Sequence, residues 1–371
     1  MEYKSSVLEV VGLKSNLSSL FKNRKVLITG HTGFKGSWLS IWLDMMGAKV
    51  IGYALEPYTK WDNFVVTKLD NRMVHIINDI RDYQSLFDVF NKYKPEIVFH
   101  LAAQPLVRES YINPKETYDV NIGGTVNLLE CCRLTESVKV IVNTTSDKCY
   151  ENKEWAWGYR ENDRLGGYDP YSSSKAGSEL ITQAYRNSFF NTENPIAHCK
   201  SLSSARAGNV IGGGDWQTNR LIPDCMRALE KKEPLFLRNP EAIRPWQHVL
   251  EPLYGYLLLA SRMLEEPGQY CEAWNFGPEL CSMKSVAEVA ELVIKGWGEG
   301  LWEKYSDEND PYETSVLRLD ITKSIILLGW KPKWSIEKAV RATVDWYKNY
   351  TQNDIYSFCI NQIDSYMKSI N

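Results

Sequence analysis

Residues 25–36 read K-V-L-I-T-G-H-T-G-F-K-G, and few folds accommodate that string. Val26 to Thr29 is a short, β-rich apolar run of the kind that forms a buried parallel strand. Gly30, Gly33 and Gly36 follow at three-residue spacing. Ser37 to Met46 is helical by pattern, with Trp38, Leu39, Trp42, Met45 and Met46 apolar, and Gly47 is a natural stop. A second strand is expected from Lys49 to Tyr53. Strand, glycine turn, helix, strand is the context that makes a glycine motif a dinucleotide site. Missing side chains let the backbone approach a pyrophosphate, and the helix N-terminus favours its charge. An acid about 20 positions on would bind the ribose hydroxyls of NAD. The chain has Tyr53-Ala54-Leu55-Glu56 there, so the acid is absent from the strand tip or displaced to Glu56. No arginine lies beside Tyr53 to welcome a 2′-phosphate. NAD is the expected cofactor.

The same alternation continues down the chain. Strands are predicted at 25–29, 49–54, 73–77, 96–101, 138–145 and 199–207, with helices near 36–46, 82–93, 114–133 and 170–190. This is the signature of an α/β fold, a Rossmann-like doubly wound parallel sheet. After 207 the texture changes. G-N-V-I-G-G-G-D-W at 208–216 is a loop, Arg220 to Lys232 a helix and 232–240 a short strand with turns. Helices follow at 249–263 and 283–297, which indicates a smaller C-terminal α/β substrate domain. The expected division is an extension at 1–22 and a dinucleotide-binding domain at 23–207, with a returning segment near 243–272. Residues 208–371 form mainly the substrate-binding domain. Trp216 and Trp246, in loops beside polar residues, are the tryptophans best placed to wall a cleft.

A second motif lies between Val142 and Lys175: V-N-T-T-S-D-K-C-Y, a polar loop, then D-P-Y-S-S-S-K. Asp169 fits an N-cap and Pro170 the first helical position. Tyr171 and Lys175 are then i and i+4 on one helix face. A tyrosine of ordinary pKa near ~10 is a poor base at neutral pH, and a neighbouring ammonium favours its phenolate. A shift of about 3 units is roughly 4 kcal/mol, within reach of one ammonium plus an oxidised nicotinamide. The pair suits removal of a hydroxyl proton as hydride leaves the same carbon. Ser146-Asp147-Lys148 adds a further acid and amine that simple alcohol oxidation would not need. Tyr111 and Lys115 share the same spacing, but Pro114 between them disfavours a helix interior.

Composition removes other classes. The 371 residues carry 43 basic against 46 acidic side chains, with no basic block or tail, so no nucleic-acid partner is expected. No apolar run is long enough for a bilayer, so no membrane partner is expected either. The opening M-E-Y-K-S-S lacks the pattern of a secretory signal. Eight scattered cysteines without C-x-x-C spacing read as reduced and buried, in a cytoplasmic protein. Five scattered histidines offer no metal-ligand spacing, so no metal is expected. Only His31 and His248 fall within motifs.

With both motifs in place, the chain resembles the extended short-chain dehydrogenase/reductase family over nearly its whole length. G-x-x-G-x-x-G, the L-A-A turn at 101–103, Asn121 and Y-x-x-x-K occur in the family's order. Within it, Ser146-Asp147 is similar to the sugar-nucleotide 4,6-dehydratase branch, which carries an acid after that Ser/Thr, where epimerases have small or apolar residues. Longer stretches sharpen the likeness: T-G-H-T-G-F-K-G-S-W-L at 29–39, H-L-A-A-Q-P-L-V-R-E-S-Y at 100–111 and R-P-W-Q-H-V-L-E-P-L at 244–253. The resemblance implies CDP-glucose as substrate in a deoxysugar (O-antigen type) pathway. Another sugar-nucleotide dehydratase or epimerase, and a non-catalytic nucleotide-sugar-binding protein, are the alternatives.

The resemblance also implies roles. Tyr171, assisted by Lys175 and Ser146, would handle the 4-hydroxyl, Asp147 would protonate the leaving 6-hydroxyl, and Lys148 would take the carbon-5 proton, where dTDP-glucose relatives have a Glu. The cofactor shell would be Gly30, Thr32, Gly33, Phe34, Gly36, Asp79, Ile80, Ala102, Ala103, Gln104 and Asn121, with Tyr171 and Lys175. Asn209, Arg220, Arg244 and Asn275 would hold the substrate, the two arginines at its pyrophosphate. Arg220 as a helix cap and Asn275 as a turn brace are the structural alternatives. A homodimer or homotetramer is expected, because helices near 114–133 and 170–190 are apolar on more than one face.

Overall fold

A computed structural model of the protein describes residues 13–191, 200–305, 316–351 and 354–370. The first two expected strands form as β1 (Lys25–Thr29) and β2 (Lys49–Ala54). They are followed by β3 (Val74–Ile77), β4 (Ile97–His100), β5 (Val140–Thr144) and β6 (Ser201–Ala207). Boundaries move by one or two residues, as frayed ends do. A seventh strand, Ala273–Phe276, joins them in one parallel sheet. Its order is Ala273–Phe276, β6, β5, β4, β1, β2, β3. That strand was not foreseen: four residues, A-W-N-F, leave no periodicity to read, and they fall just beyond the returning segment at 243–272.

The order reverses between β1 and β4. Connections leave these neighbours in opposite directions, so a crevice opens beyond their carboxyl ends. Helix Phe34–Met45 covers one face and buries Trp38, Leu39, Trp42 and Leu43 completely. Helix Leu250–Glu265 packs beside it, apolar on nearly every side and buried accordingly. The C-terminal helix Ile355–Ser369 returns to this layer. Tyr366 meets Trp42 edge-on at 5.8 Å, and the Tyr356 hydroxyl donates to Asp44 at 2.6 Å. Truncating Trp42 to alanine would cost about 3–5 kcal/mol, since it is wholly enclosed. The expected N-terminal extension contains a docked helix, Leu13–Phe21, with Leu17 and Phe21 in the core.

The predicted helix at 114–133 is not continuous. It divides into Pro114–Tyr118, a wide π-type turn at Asp119–Gly123, and Gly124–Leu134. Gly124 permits close packing there: a Cβ would lie 2.7 Å from the Ile80 side chain. Helix Pro170–Ser188 forms as expected, with Asp169 as N-cap accepting from the Ser172 amide at 2.9 Å.

Candidate active site

A cleft of about 1360 Å³ occupies the crevice, larger than the ~300–1,000 Å³ typical of one small ligand. Its first arm follows the glycine turn. Gly30 has φ 78°, and a Cβ there would meet the Ala102 amide nitrogen at 2.7 Å. A Cβ on Gly36 would lie 2.1 Å from the Gly30 carbonyl, so the helix can start this close to the turn only with glycine. Gly33 is exposed to the cleft and caps the helix with no side chain, which leaves the first amides of Phe34–Met45 for a ligand. The Thr32 hydroxyl donates to the Leu55 carbonyl at 2.8 Å and the Tyr53 hydroxyl to the Asp79 carbonyl at 2.9 Å. Phe34, Glu56, Asp79, Ile80, Ala102, Ala103 and Gln104 line this arm.

Asn121 does not line it. Its Oδ1 accepts from the Gln104 amide at 2.8 Å, and its Nδ2 donates to the Gln104 carbonyl at 3.1 Å and to Ser174 at 2.8 Å. It is 2% exposed, so it shapes the 102–104 turn from behind.

At the centre, β5 delivers Thr145, Ser146, Asp147 and Lys148 to the cleft. The Ser146 hydroxyl accepts from the Lys148 amide at 3.2 Å and donates to Asp147 Oδ1 at 3.0 Å. Lys148 Nζ stands 3.5 Å from the same Oδ1. Asp147 is 1% exposed, and its Oδ2 is buried with no partner. Gly208 makes room for that oxygen: a Cβ would come within 2.9 Å of it. Tyr171 and Lys175, 7% and 6% exposed, line the same wall one turn apart.

Burial pushes the Tyr171 phenol up to about 12, despite its hydrogen bond to Ser146 and the nearby Arg220 guanidinium, which favour the phenolate. The Lys175 ammonium is expected to act on the phenol together with an oxidised nicotinamide, and in the protein alone the phenol stays high. Burial lowers Lys175 itself to about 8, against the pull of Glu179. Activation of the phenol therefore needs charge brought in by a ligand.

Lys35, passed over within G-F-K-G, also lines the cleft. Burial, with Lys175 and Arg220 nearby, lowers it to about 7. Lys175, Arg220 and Lys148 all act on Lys35, against a single nearby carboxylate, Asp147, so this part of the cleft favours an anionic ligand. Beneath them lies a buried ion pair, Arg206 with Glu179 at 2.8 Å. Glu179 is one turn beyond Lys175, a spacing that could have revealed it.

In the second arm, Arg220 pairs with Asp215 at 2.7 Å, and Arg244 and Asn209 line the wall beside it. Asn209 Oδ1 is buried without a partner. Trp216 and Trp246 also face this arm. Asn275 is not brought to the cleft. It is fully buried, donates to the carbonyls of Tyr159 and Asp320 at 2.9 and 3.0 Å, and accepts from the Tyr150 hydroxyl at 2.7 Å. It braces the wall, which is the structural alternative given above. His31 is sealed beneath the glycine turn with His75 at 2.7 Å, and His248 is buried against Trp334. Among the described residues no cluster of His, Cys, Asp and Glu could hold a metal ion, and no helix is long and apolar enough to cross a membrane.

A CDP-glucose 4,6-dehydratase from Salmonella typhimurium is 47% identical over 352 residues, covering 95% of this chain and 98% of that protein. A UDP-glucose 4-epimerase from Pisum sativum is 25% identical over 349 residues, covering 88% and 96%. The fold is shared with a dTDP-glucose 4,6-dehydratase from Streptomyces venezuelae solved with NAD bound, at a TM-score of 0.74 and 24% identity over 88% of this chain and 97% of that one. A family model described as GDP-mannose 4,6 dehydratase matches residues 27–343, and on that match and the Salmonella likeness the chain belongs to this dehydratase family.

Proposed function

We propose that the protein is an NAD-dependent hydro-lyase that converts CDP-glucose to CDP-4-dehydro-6-deoxyglucose. The observation that carries this is Asp147: a buried carboxyl with one unpartnered oxygen, beside Ser146 and on the same wall as Tyr171. Oxidation at carbon-4 does not need such a group, whereas expulsion of a 6-hydroxyl does. The 47% identity to the Salmonella enzyme supports the choice of nucleotide.

The glycine turn suits NAD, because glycine at 30 and 36 lets the turn pack tightly on Ala102 and on the helix start, and the open Gly33 leaves the first helix amides to a pyrophosphate. Gly33, Thr32, Phe34, Asp79, Ile80 and 102–104 would hold it, and Asn121 would fix the turn. When bound, NAD supplies a reversible hydride acceptor between carbon-4 and carbon-6, so the cycle is redox-neutral. Tyr171 takes the 4-hydroxyl proton, with Ser146 hydrogen-bonded to the same oxygen. The resulting ketone acidifies carbon-5, and Lys148 removes that proton. Asp147 gives a proton to the 6-hydroxyl, which leaves as water, and the carbon-5 proton is returned. Arg220 and Arg244 neutralise the pyrophosphate in fork geometry, and Asn209 presents its free carbonyl to the sugar nucleotide. In this reading 23–207 with the returning segment binds the dinucleotide and 208–371 mainly the substrate.

A homodimer or homotetramer is supported by Leu180, 55% exposed on helix Pro170–Ser188, and by Ile112, 72% exposed on the neighbouring helix Val107–Ile112. Cys131, Cys132, Cys149, Cys225, Cys271 and Cys359 are unpaired and buried, in keeping with a reducing, cytoplasmic setting. Epimerase action is disfavoured by Asp147, and a non-catalytic binding role by Ser146, Tyr171 and Lys175 together. The test is incubation with NAD and a panel of CDP-, dTDP-, GDP- and UDP-glucose, assayed for a 4-keto-6-deoxy sugar. Product from CDP-glucose is expected, and a 4-epimer or no turnover would refute the reading.

A further inference from the structure

Beside Arg220, the cleft is also lined by groups that the reaction does not use. Asn219, Asp224, Phe236 and Arg238 line it there. They come from the residue preceding helix Leu221–Lys231, from the first turn of that helix, and from the strand Leu235–Leu237 and the residue after it. Phe236 is 61% exposed between two buried leucines, so its ring is offered to the cleft rather than to the core. Arg238 reaches Asn219 Oδ1 at 3.4 Å. Asn219 takes a left-handed backbone, φ 62°, which asparagine tolerates, and so turns the chain into the helix start. The Asp224 carboxylate is held by Arg227 and the Asn219 amide, with Arg238 near it.

The chemistry of this group is polarised. A carboxylate only accepts hydrogen bonds, at about four lone-pair sites, and a guanidinium only donates. Cytosine presents an amino donor beside two acceptors, ring N3 and O2. Uracil and thymine reverse the first two, with an acceptor at O4 and a donor at N3. We propose that Asp224 and Arg238 read the nucleobase of the substrate as cytosine. Asp224 accepts from the exocyclic amine, Arg238 donates to N3 and O2, and Phe236 stacks beneath the ring. Against uracil, Asp224 meets O4 acceptor to acceptor and Arg238 meets the N3 proton donor to donor. This inference rests on the CDP-glucose reading above and assigns the residues that enforce it.

The test is kcat/KM for CDP-glucose and UDP-glucose in the wild type, Asp224→Asn and Arg238→Gln. An asparagine can turn its amide toward O4, so Asp224→Asn should lower the CDP/UDP ratio by about 10- to 100-fold, the usual scale of one matched base contact. Arg238→Gln should lower it by about tenfold. The ratio is its own control, because a folding defect lowers both numerators alike. A wild type with no preference for CDP-glucose would overturn the substrate reading and this inference with it. A wild type that prefers CDP-glucose, with both variants keeping that ratio, would overturn this inference alone.

Discussion

Glu179 and Arg206 are both 3% exposed and meet at 2.8 Å beneath the reaction centre. Ser204 donates to Glu179 at 2.6 Å, and Thr145 donates to its other oxygen. Arg206 also donates to the Tyr150 hydroxyl at 2.8 Å and the Glu161 carbonyl at 3.0 Å. Removing one partner strands the other charge away from water, at a cost of about 3–5 kcal/mol. With an unfolding entropy of roughly 2.1 cal/mol/K per residue, a chain of 371 residues should lose about 4–6 °C in Tm for Glu179→Leu or Arg206→Met. The double variant leaves no orphan charge. It should lose less than either single one, giving a strongly non-additive cycle. Differential scanning calorimetry of the four proteins measures this. Additive losses, or single variants within about 1 °C of wild type, would refute the reasoning that the charges are desolvated and mutually dependent.

Gly36→Ala should abolish NAD binding in a titration calorimeter, because its Cβ would fall 2.1 Å from the Gly30 carbonyl. Binding within tenfold of wild type would contradict that. Glu251 is buried and accepts from the amides of Lys333 and Trp334 and from the Tyr366 hydroxyl, and burial raises it to about 7 from an ordinary 4.5. The folded state therefore holds one more proton than the unfolded chain across that window. Its contribution is full below pH 4.5 and is lost as pH rises through 7, a decline of about 2–3 kcal/mol that Glu251→Gln should flatten. Denaturant midpoints from pH 5 to 8 read it, and an unchanged slope in the variant would exclude Glu251 as the source. Tyr171→Phe should lower kcat by about 10²–10⁴ while CDP-glucose binding holds, and more than a tenth of normal turnover would remove Tyr171 from the role of base.

The parts of the site legible in the sequence are those built within a few residues. The glycine turn, Ser146-Asp147-Lys148 and the Asp169–Lys175 helix start each carry their geometry in local spacing, and the structure brings them to one cleft. What escaped is set by tertiary contact. Asn121 and Asn275 stand where ligand contacts were expected, yet each spends its amide on backbone groups far away in the chain. Arg206 finds Glu179 across 27 positions. Ala273–Phe276 is a strand because β6 lies beside it, not because of its own pattern. Burial raises the Tyr171 phenol and lowers the Lys175 ammonium, and the i and i+4 spacing of the two residues does not carry how closed their wall is.

The central claim is that Asp147 separates dehydration from oxidation, and a single-turnover experiment with Asp147→Asn tests it most directly. The protein with bound NAD is mixed with CDP-glucose, and the absorbance of reduced nicotinamide and the appearance of 4-keto-6-deoxy sugar are followed together. Tyr171, Lys175 and the glycine turn are untouched, so carbon-4 should still be oxidised. The amide has no acidic proton to give, so the 6-hydroxyl should stay and the reduced cofactor should accumulate on the protein. Formation of the 4-keto-6-deoxy product at the wild-type rate, without that accumulation, would contradict the account.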